Sequence, residues 1–260
     1  MNRERQMDIA AVDQLPVECI SHIISLTTPR DACISSTVCP IFKSAADLDS
    51  VWEKFLPSDY NQIISNSKDL YFHLCHNPII INNGAMSFSL EKESGKKCYM
   101  AGARSLCIAW GDTPKYWKWT SLPQSRFLEV AKLNFVCWLY AKKKKDRIET
   151  KILSIRTNYA AYLVFKFIDT RYGFETRPVD FGVYFDGSDN GERRKVVLDP
   201  PANMPKLSQD RGNGWMEIEM GEFFNETGED GTVVCSVFGF DDAKSGIIIQ
   251  GIELRPKSGR

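Results

Sequence analysis

DQLPVECISHIISLTTPRDACISSTVCPIFKSAADLDSVWEKFLP, residues 13–57, decides how this chain is read. Leu15, Cys19, Ile20, Ile23, Ile24 and Leu26 recur at helical spacing and lay a wide apolar stripe along one helix. Pro16 suits a first helical turn, where a missing N–H leaves nothing unbonded. Thr28, Pro29 and Asp31 repeat the start signal: a hydroxyl cap, a proline at the first helical position, and a carboxylate three residues after the cap. Cys39-Pro40 opens another short helix, and Val51, Trp52, Phe55 and Leu56 give one more an apolar face. So small a set of helices rarely buries enough surface to be stable alone. No disulfide or metal spacing staples it. The pattern predicts a helical head that needs cover, from the rest of the chain or from another protein.

Leu15-Pro16, Glu18, Ile20, Ile23, Ile24, Val38-Cys39, Phe42 and Trp52 together resemble an F-box, over roughly residues 10–57. Pro40 stands where that family usually has Arg or Lys after the Val-Cys pair, and proline there fits a helix start. The resemblance implies docking on the adaptor subunit of an SCF-type ubiquitin ligase and, through it, on a cullin. It assigns Leu15, Pro16, Ile20, Ile23, Ile24, Val38 and Trp52 to the adaptor face. The plainer alternative is a helical cap packed on the C-terminal domain.

Composition sets the outer limits. The chain has 260 residues, with Lys+Arg and Asp+Glu both at 33, so the net charge is zero. That balance does not favour a global nucleic-acid or membrane-surface role. No apolar run approaches the ~20 residues of a membrane span. The N-terminal MNRERQMDIA lacks the apolar core of a signal peptide. The 8 cysteines are scattered without a CxxC. These features predict a reducing compartment, cytoplasm or nucleus. The sequon Asn225-Glu226-Thr227 is expected to go unused there.

Past residue 57 the texture changes. Residues 58–85 read as a helical linker, in which Lys68, Leu70, Tyr71 and Leu74 fit a short helix capped at Ser65 or Ser67. Beyond Pro78 the period becomes two. Met216, Ile218 and Met220 alternate with Glu217 and Glu219, and Val179, Phe181, Val183 and Phe185 alternate with Asp180, Gly182 and Tyr184. Ala160–Phe167 reads as a more buried strand, and Phe127–Leu139, Arg194–Leu198, Thr232–Phe240 and Ile247–Leu254 as further ones. Asp186-Gly187-Ser188 and Asp189-Asn190-Gly191 mark turns. Many short alternating strands predict an antiparallel β-sandwich, so the whole chain is α+β: a small all-α head and a sandwich over residues 86–256.

CIAWGDTPKYWKWTSLPQSRFLEVAKLNFVCWL (107–139), GWMEIEMGEFFNETGEDG (214–231) and KSGIIIQGIELRP (244–256) occur in order and resemble a phloem protein 2 (Nictaba-like) lectin domain. That family fold is a jelly-roll-like β-sandwich, and an F-box joined to it is a known plant arrangement. Some members bind N-acetylglucosamine oligomers or N-glycan cores, which implies glycoprotein targets. Trp110, Tyr116, Trp117 and Trp119 crowd around Gly111-Asp112-Thr113-Pro114. Aromatic faces stack on sugar C–H surfaces, and the neighbouring Asp and Lys offer hydroxyl partners. The resemblance ties Trp110 and Trp117 to carbohydrate binding, with Trp119 beside them. Trp117→Ala is then expected to lose glycan binding with little loss of stability, whereas Trp138 and Trp215 read as core. The basic run Lys142-Lys143-Lys144-Lys145 reads as an import signal, an acidic-partner patch or a solvated hairpin tip.

Enzyme readings find little support. The chain has no GxSxG, no GxxxxGK[ST] and no HExxH. His73, Cys75 and His76 form a tight group with no second Cys/His pair to complete a tetrahedral metal set, and read as a helix end. Glu217 and Glu219 point the same way on one strand, whereas glycosidase carboxylates must flank a bond from opposite sides. They are expected on a solvent-facing strand. No motif calls for a cofactor. The chain therefore reads as a non-catalytic receptor subunit of a ubiquitin ligase, with two rivals: a lectin without ligase role, and a receptor whose sandwich reads protein surfaces.

Overall fold

Proline and cap residues punctuate the N-terminal helices. In the computed structural model α1 runs Val17–Ser25, and the Pro16 carbonyl accepts the N–H groups of Cys19 and Ile20 at 2.9 and 3.2 Å. Helix α2 (Pro29–Ser35) opens on a reciprocal capping box. Thr28 Oγ1 accepts the Asp31 N–H at 3.1 Å, and Asp31 Oδ2 accepts the Thr28 N–H at 3.3 Å. Helices α3 (Pro40–Ala46), α4 (Asp49–Phe55) and α5 (Ser67–His76) follow. The described residues are 15–57, 66–136, 139–143 as backbone, 148–188, 193–229, 231–239 and 243–257. They fall into two units: one reaches Pro78 and takes in Ser89–Lys96, and the other holds Ile79–Phe88 and the residues from Lys97 onward.

The stretch expected to link the two parts supplies core to the helical unit. Leu70, Tyr71 and Leu74 of α5 are buried, and the Tyr71 and Phe72 rings each lie 5.2 Å from Trp52. Trp52 donates its Nε1–H to the Ala46 carbonyl at 2.7 Å. The Tyr71 hydroxyl donates to the Glu91 and Lys92 carbonyls, and burial pushes its pKa up. The cap of α5 is Asn66, whose Oδ1 accepts the Lys68 and Asp69 N–H groups, each at 3.1 Å. The expected caps were its neighbours; Ser67 is instead the first helical residue, and Ser65 lies outside the described residues.

The second unit is a two-layer β-sandwich. Its strands are β1 (Ile79–Ile81), β2 (Met86–Leu90), β3 (Lys97–Gly102), β4 (Leu106–Ile108), β5 (Trp117–Thr120), β6 (Val130–Leu133), β7 (Leu139–Lys143) and β8 (Ile148–Glu149). They continue as β9 (Thr157–Tyr172), β10 (Val179–Phe185), β11 (Arg193–Val196), β12 (Gln209–Asp210), β13 (Met216–Asn225), β14 (Thr232–Gly239) and β15 (Ser245–Pro256). One sheet has the order β1-β2-β3-β15-β9-β13-β12, with the β5–β6 hairpin joined through β6 to β15; the other has the order β11-β10-β14-β7-β4, with β8 on β14. The long pairs β9–β15, β9–β13 and β10–β14 are antiparallel.

Between the layers, Tyr159, Leu163 and Phe165 of β9 are buried, as are Phe181 and Val183 of β10. The Phe185 and Phe223 rings meet edge to face at 5.9 Å. Gly221 admits Val183, since a Cβ there would sit 3.2 Å from its side chain. The stretch 127–139, expected as one strand, divides. Strand β6 ends at Leu133, the Asn134 N–H turns to the Tyr116 carbonyl at 2.8 Å, and Val136 bridges Lys244.

Glu217 departs from its expected solvent-facing position. The face of β9, β13 and β15 that points away from the other sheet is covered. Met100, Phe127, Val130, Val164, Trp215 and Ile248 form a buried cluster there, and Trp215 donates Nε1–H to the Gln124 carbonyl at 3.0 Å. Beside it, buried Glu253 accepts from Arg126 at 3.0 Å and Arg211 at 2.6 Å, and buried Glu217 accepts from Arg255 at 2.6 Å. Burial alone would raise the Glu253 pKa. The guanidiniums of Arg211 and Arg126 outweigh it and hold the carboxyl below its usual range. The period-two pattern places Glu217 on the correct face, but it does not reveal that arginines from elsewhere close over that face.

Candidate functional site

On α1 the apolar stripe covers about half the helix circumference, wider than the roughly 100° that a surface helix needs to face its core. Ile20 and Ile24, four residues apart, face the unit's own core and are buried. Cys19, Ile23 and Leu26, at i, i+4 and i+7, turn to solvent, with Ile23 54% and Leu26 74% exposed. Leu15, Pro16, Ile34 and Leu48 are exposed too, and Val38 is 64% exposed. Soluble surfaces carry single exposed apolar residues routinely, and several on so few helices is the feature that an interaction face would show.

Of the residues assigned to adaptor docking, Leu15, Pro16, Ile23 and Val38 are on the surface. Ile20, Ile24 and Trp52 are not: all three are core, because the helical unit must close around something before it can present anything. Leu26 and Ile34, outside the residues assigned to docking, are exposed as well. The i, i+4, i+7 relation of Leu26 to Cys19 and Ile23 was the available signal for the former.

The aromatic cluster divides in the same way. Trp117 opens β5, is 2% exposed, and donates Nε1–H to the Ala109 carbonyl at 3.1 Å. It is a core residue, so its truncation should cost stability, contrary to the expectation stated for Trp117→Ala. Strand alternation puts Lys118 outside and Trp117 and Trp119 on one side. Trp119 is half-buried, donates Nε1–H to the Gly111 carbonyl at 2.9 Å, and lies under the Arg104 guanidinium at 3.8 Å.

Trp110 stays at the surface, 47% exposed, with the Tyr116 ring 5.4 Å away and tilted by 40°. Its φ of 54° is left-handed, a strained conformation for a bulky residue. Local hydrogen bonds hold it there: Gly111 N–H to the Ile108 carbonyl and Thr113 N–H to the Trp110 carbonyl, both 2.9 Å. Asn134 fastens the far side, donating Nδ2–H to the Pro114 carbonyl at 3.0 Å. Asp112 and Lys115, in the same turn, are exposed. The result is an exposed, pre-set aromatic platform rimmed by polar groups, suited to stacking against an apolar ligand face while bonding its hydroxyls. Arg104 and Asn134 were missed because they lie outside the aromatic run.

Other sequence features have definite places. Asn225 is fully buried, and its Nδ2 donates to the Ser154 carbonyl at 2.9 Å and the Thr150 carbonyl at 3.3 Å, so the folded chain does not offer this sequon for modification. His73 and His76 are exposed in the last turn of α5. Among the described residues no group of His, Cys, Asp and Glu is placed to hold a metal, and no helix is long and apolar enough to cross a membrane. Trp138, Lys144, Lys145 and the 189–191 turn lie outside the described residues, as do the side chains of Lys142 and Lys143.

The F-box domain family model matches residues 12–54, and the Phloem protein 2 model matches residues 96–256. The chain is 42% identical over 272 residues to F-box protein PP2-B10 of Arabidopsis thaliana, covering 98% of each chain. It is 43% identical over 252 residues to the Putative F-box protein PP2-B12 of the same plant, covering 94% of this chain and 97% of the relative. A solved family 35 carbohydrate binding module from Clostridium thermocellum aligns at 10% identity with a TM-score of 0.36, over 60% of this chain and 96% of that one, too distant to carry an argument about ligand.

Proposed function

Since the chain belongs to the phloem protein 2 family and joins that domain to an F-box, we propose that it is the substrate-capturing subunit of an SCF-type ubiquitin ligase. The helical unit docks on the adaptor and, through it, on the cullin. The sandwich holds a glycoprotein target at the Trp110–Tyr116 platform. The chain makes and breaks no bond; it contributes proximity, in the cytoplasm or nucleus. The observation that carries the docking half is the solvent-facing stripe of Ile23 and Leu26 beside a fully formed core of Ile20, Ile24 and Trp52. Burying a side chain such as Ile23 or Leu26 on a partner contributes ~1.5–3 kcal/mol. The apolar, uncharged character of this stripe matches the centre of a helical protein interface.

Co-expression with the adaptor, followed by a glycan array on the purified complex, tests both halves. The expected result is a stable complex that retains N-acetylglucosamine-containing glycans. A chain that binds glycans but not the adaptor would support the second reading, a lectin without ligase role, which rests on the exposed Trp110 alone. Robust adaptor binding with an empty array would leave a receptor that reads protein surfaces.

A further inference from the structure

We propose that Arg104 is the positioning residue of the aromatic platform, a clamp that presets the 110–116 turn for ligand; this rests on the reading of Trp110 and Tyr116 as the binding surface. Arg104 lies in the short turn between β3 and β4, outside the cluster it serves. Its side chain engages separate parts of the site at once. A fork grips Glu129 just before β6, with Nε to Oε2 at 2.8 Å and Nη2 to Oε1 at 3.2 Å. The guanidinium plane covers the Trp119 ring at 3.8 Å, and Nη1 lies 3.8 Å from Asp112 in the turn itself. Trp119 in turn donates to the carbonyl of Gly111, the residue after the strained Trp110.

An exposed ion pair by itself contributes little. Here the bidentate geometry and the ring beneath fix one guanidinium in a single orientation, and that orientation links β6, β5 and the turn. Left-handed backbone at a non-glycine residue persists only when its surroundings over-determine it. Arg104 adds charge and stacking to the hydrogen bonds by which Trp119 and Asn134 tie the turn to its neighbours, and it holds Trp119 in the place from which that ring bonds the Gly111 carbonyl. A lysine could keep the charge but not the fork.

Arg104→Gln, Arg104→Lys and Trp110→Ala in the full chain test this, with two readouts. Amide hydrogen exchange is followed at Gly111, Thr113, Tyr116 and Trp117, with β9 and β15 amides as the internal reference. Affinity is measured for an N-acetylglucosamine trimer. The clamp predicts about tenfold faster exchange in the turn of Arg104→Gln, with reference amides and melting temperature unchanged, and about tenfold weaker binding. Arg104→Lys should fall between. Turn exchange and affinity equal to wild type in Arg104→Gln would overturn the clamp while leaving the platform intact if Trp110→Ala still abolishes binding. A wild-type chain that ignores the trimer would overturn the platform reading and with it the role of Arg104 in binding, whatever the amides do.

Discussion

The helical unit and the sandwich treat their apolar residues differently. In the sandwich, the long strands β13 and β15 and the first half of β9 are buried over much of both faces. Even the outer face of β9, β13 and β15 is covered by Trp215, Phe127 and a set of arginines on Glu217 and Glu253. In the helical unit the core closes around Ile20, Ile24, Trp52 and Tyr71, while Ile23, Leu26, Ile34 and Val38 stay in water. The first arrangement leaves apolar residues such as Leu128, Ile155 and Tyr172 exposed at scattered places over a large domain. The second displays a face out of proportion to its size. On the proposed reading, the difference separates a domain that carries a site from a module whose surface is itself the site.

The largest effects should come where either region is buried. Trp52→Ala and Trp117→Ala should each cost ~3–5 kcal/mol in chemical denaturation, since both rings are core and both donate to a carbonyl. A neutral Trp117→Ala would erase the distinction drawn between Trp117 and Trp110.

Glu253→Gln should cost ~3 kcal/mol or more by removing the buried carboxylate that Arg126 and Arg211 share, with Glu217 left as the carboxylate partner of Arg211. Because the folded-state pKa of Glu253 is depressed, its contribution is present above the ordinary carboxylate pKa of about 4.3 and is lost as pH falls through the lower folded value. Melting temperatures taken downward from neutral pH should therefore fall more steeply for wild type than for Glu253→Gln. Parallel curves would remove Glu253 from the account.

Asn225→Ala should cost ~1–3 kcal/mol by taking away the amide that the Ser154 and Thr150 carbonyls accept, of which the Thr150 carbonyl keeps the Leu153 N–H. Trp110→Ala should stay within ~0.5 kcal/mol of wild type in stability. A large loss there would make the platform a packing element.

Much of the architecture was legible. The Thr28–Asp31 capping box, the proline helix starts and the period-two strands each follow from local chemistry, and local chemistry is what a sequence displays. The failures share a cause. Periodicity gives the arc of an apolar stripe, but it does not say which half of that arc the neighbouring helices will cover. Ile20 and Ile23 therefore looked equivalent, although one is core and the other surface. The Trp117-Lys118-Trp119 alternation could have marked a strand with both rings inward. Gly111, Asp112 and Pro114 precede it and make it look like part of the turn. Arg104, Arg126 and Arg211 act across long sequence separations, on Glu129 and Glu253, and no local pattern carries that information.

The central claim is that the exposed stripe on α1 is partner surface and the buried one is not. Titration of the purified chain with the SCF adaptor, for wild type and Ile23→Asp, together with a thermal melt of each, tests it most directly. The account predicts that Ile23→Asp melts as wild type does yet loses adaptor binding by about a hundredfold, the loss of ~2.7 kcal/mol expected from charging the centre of an apolar interface. Equal affinity of the two proteins, or no affinity in wild type, would contradict it.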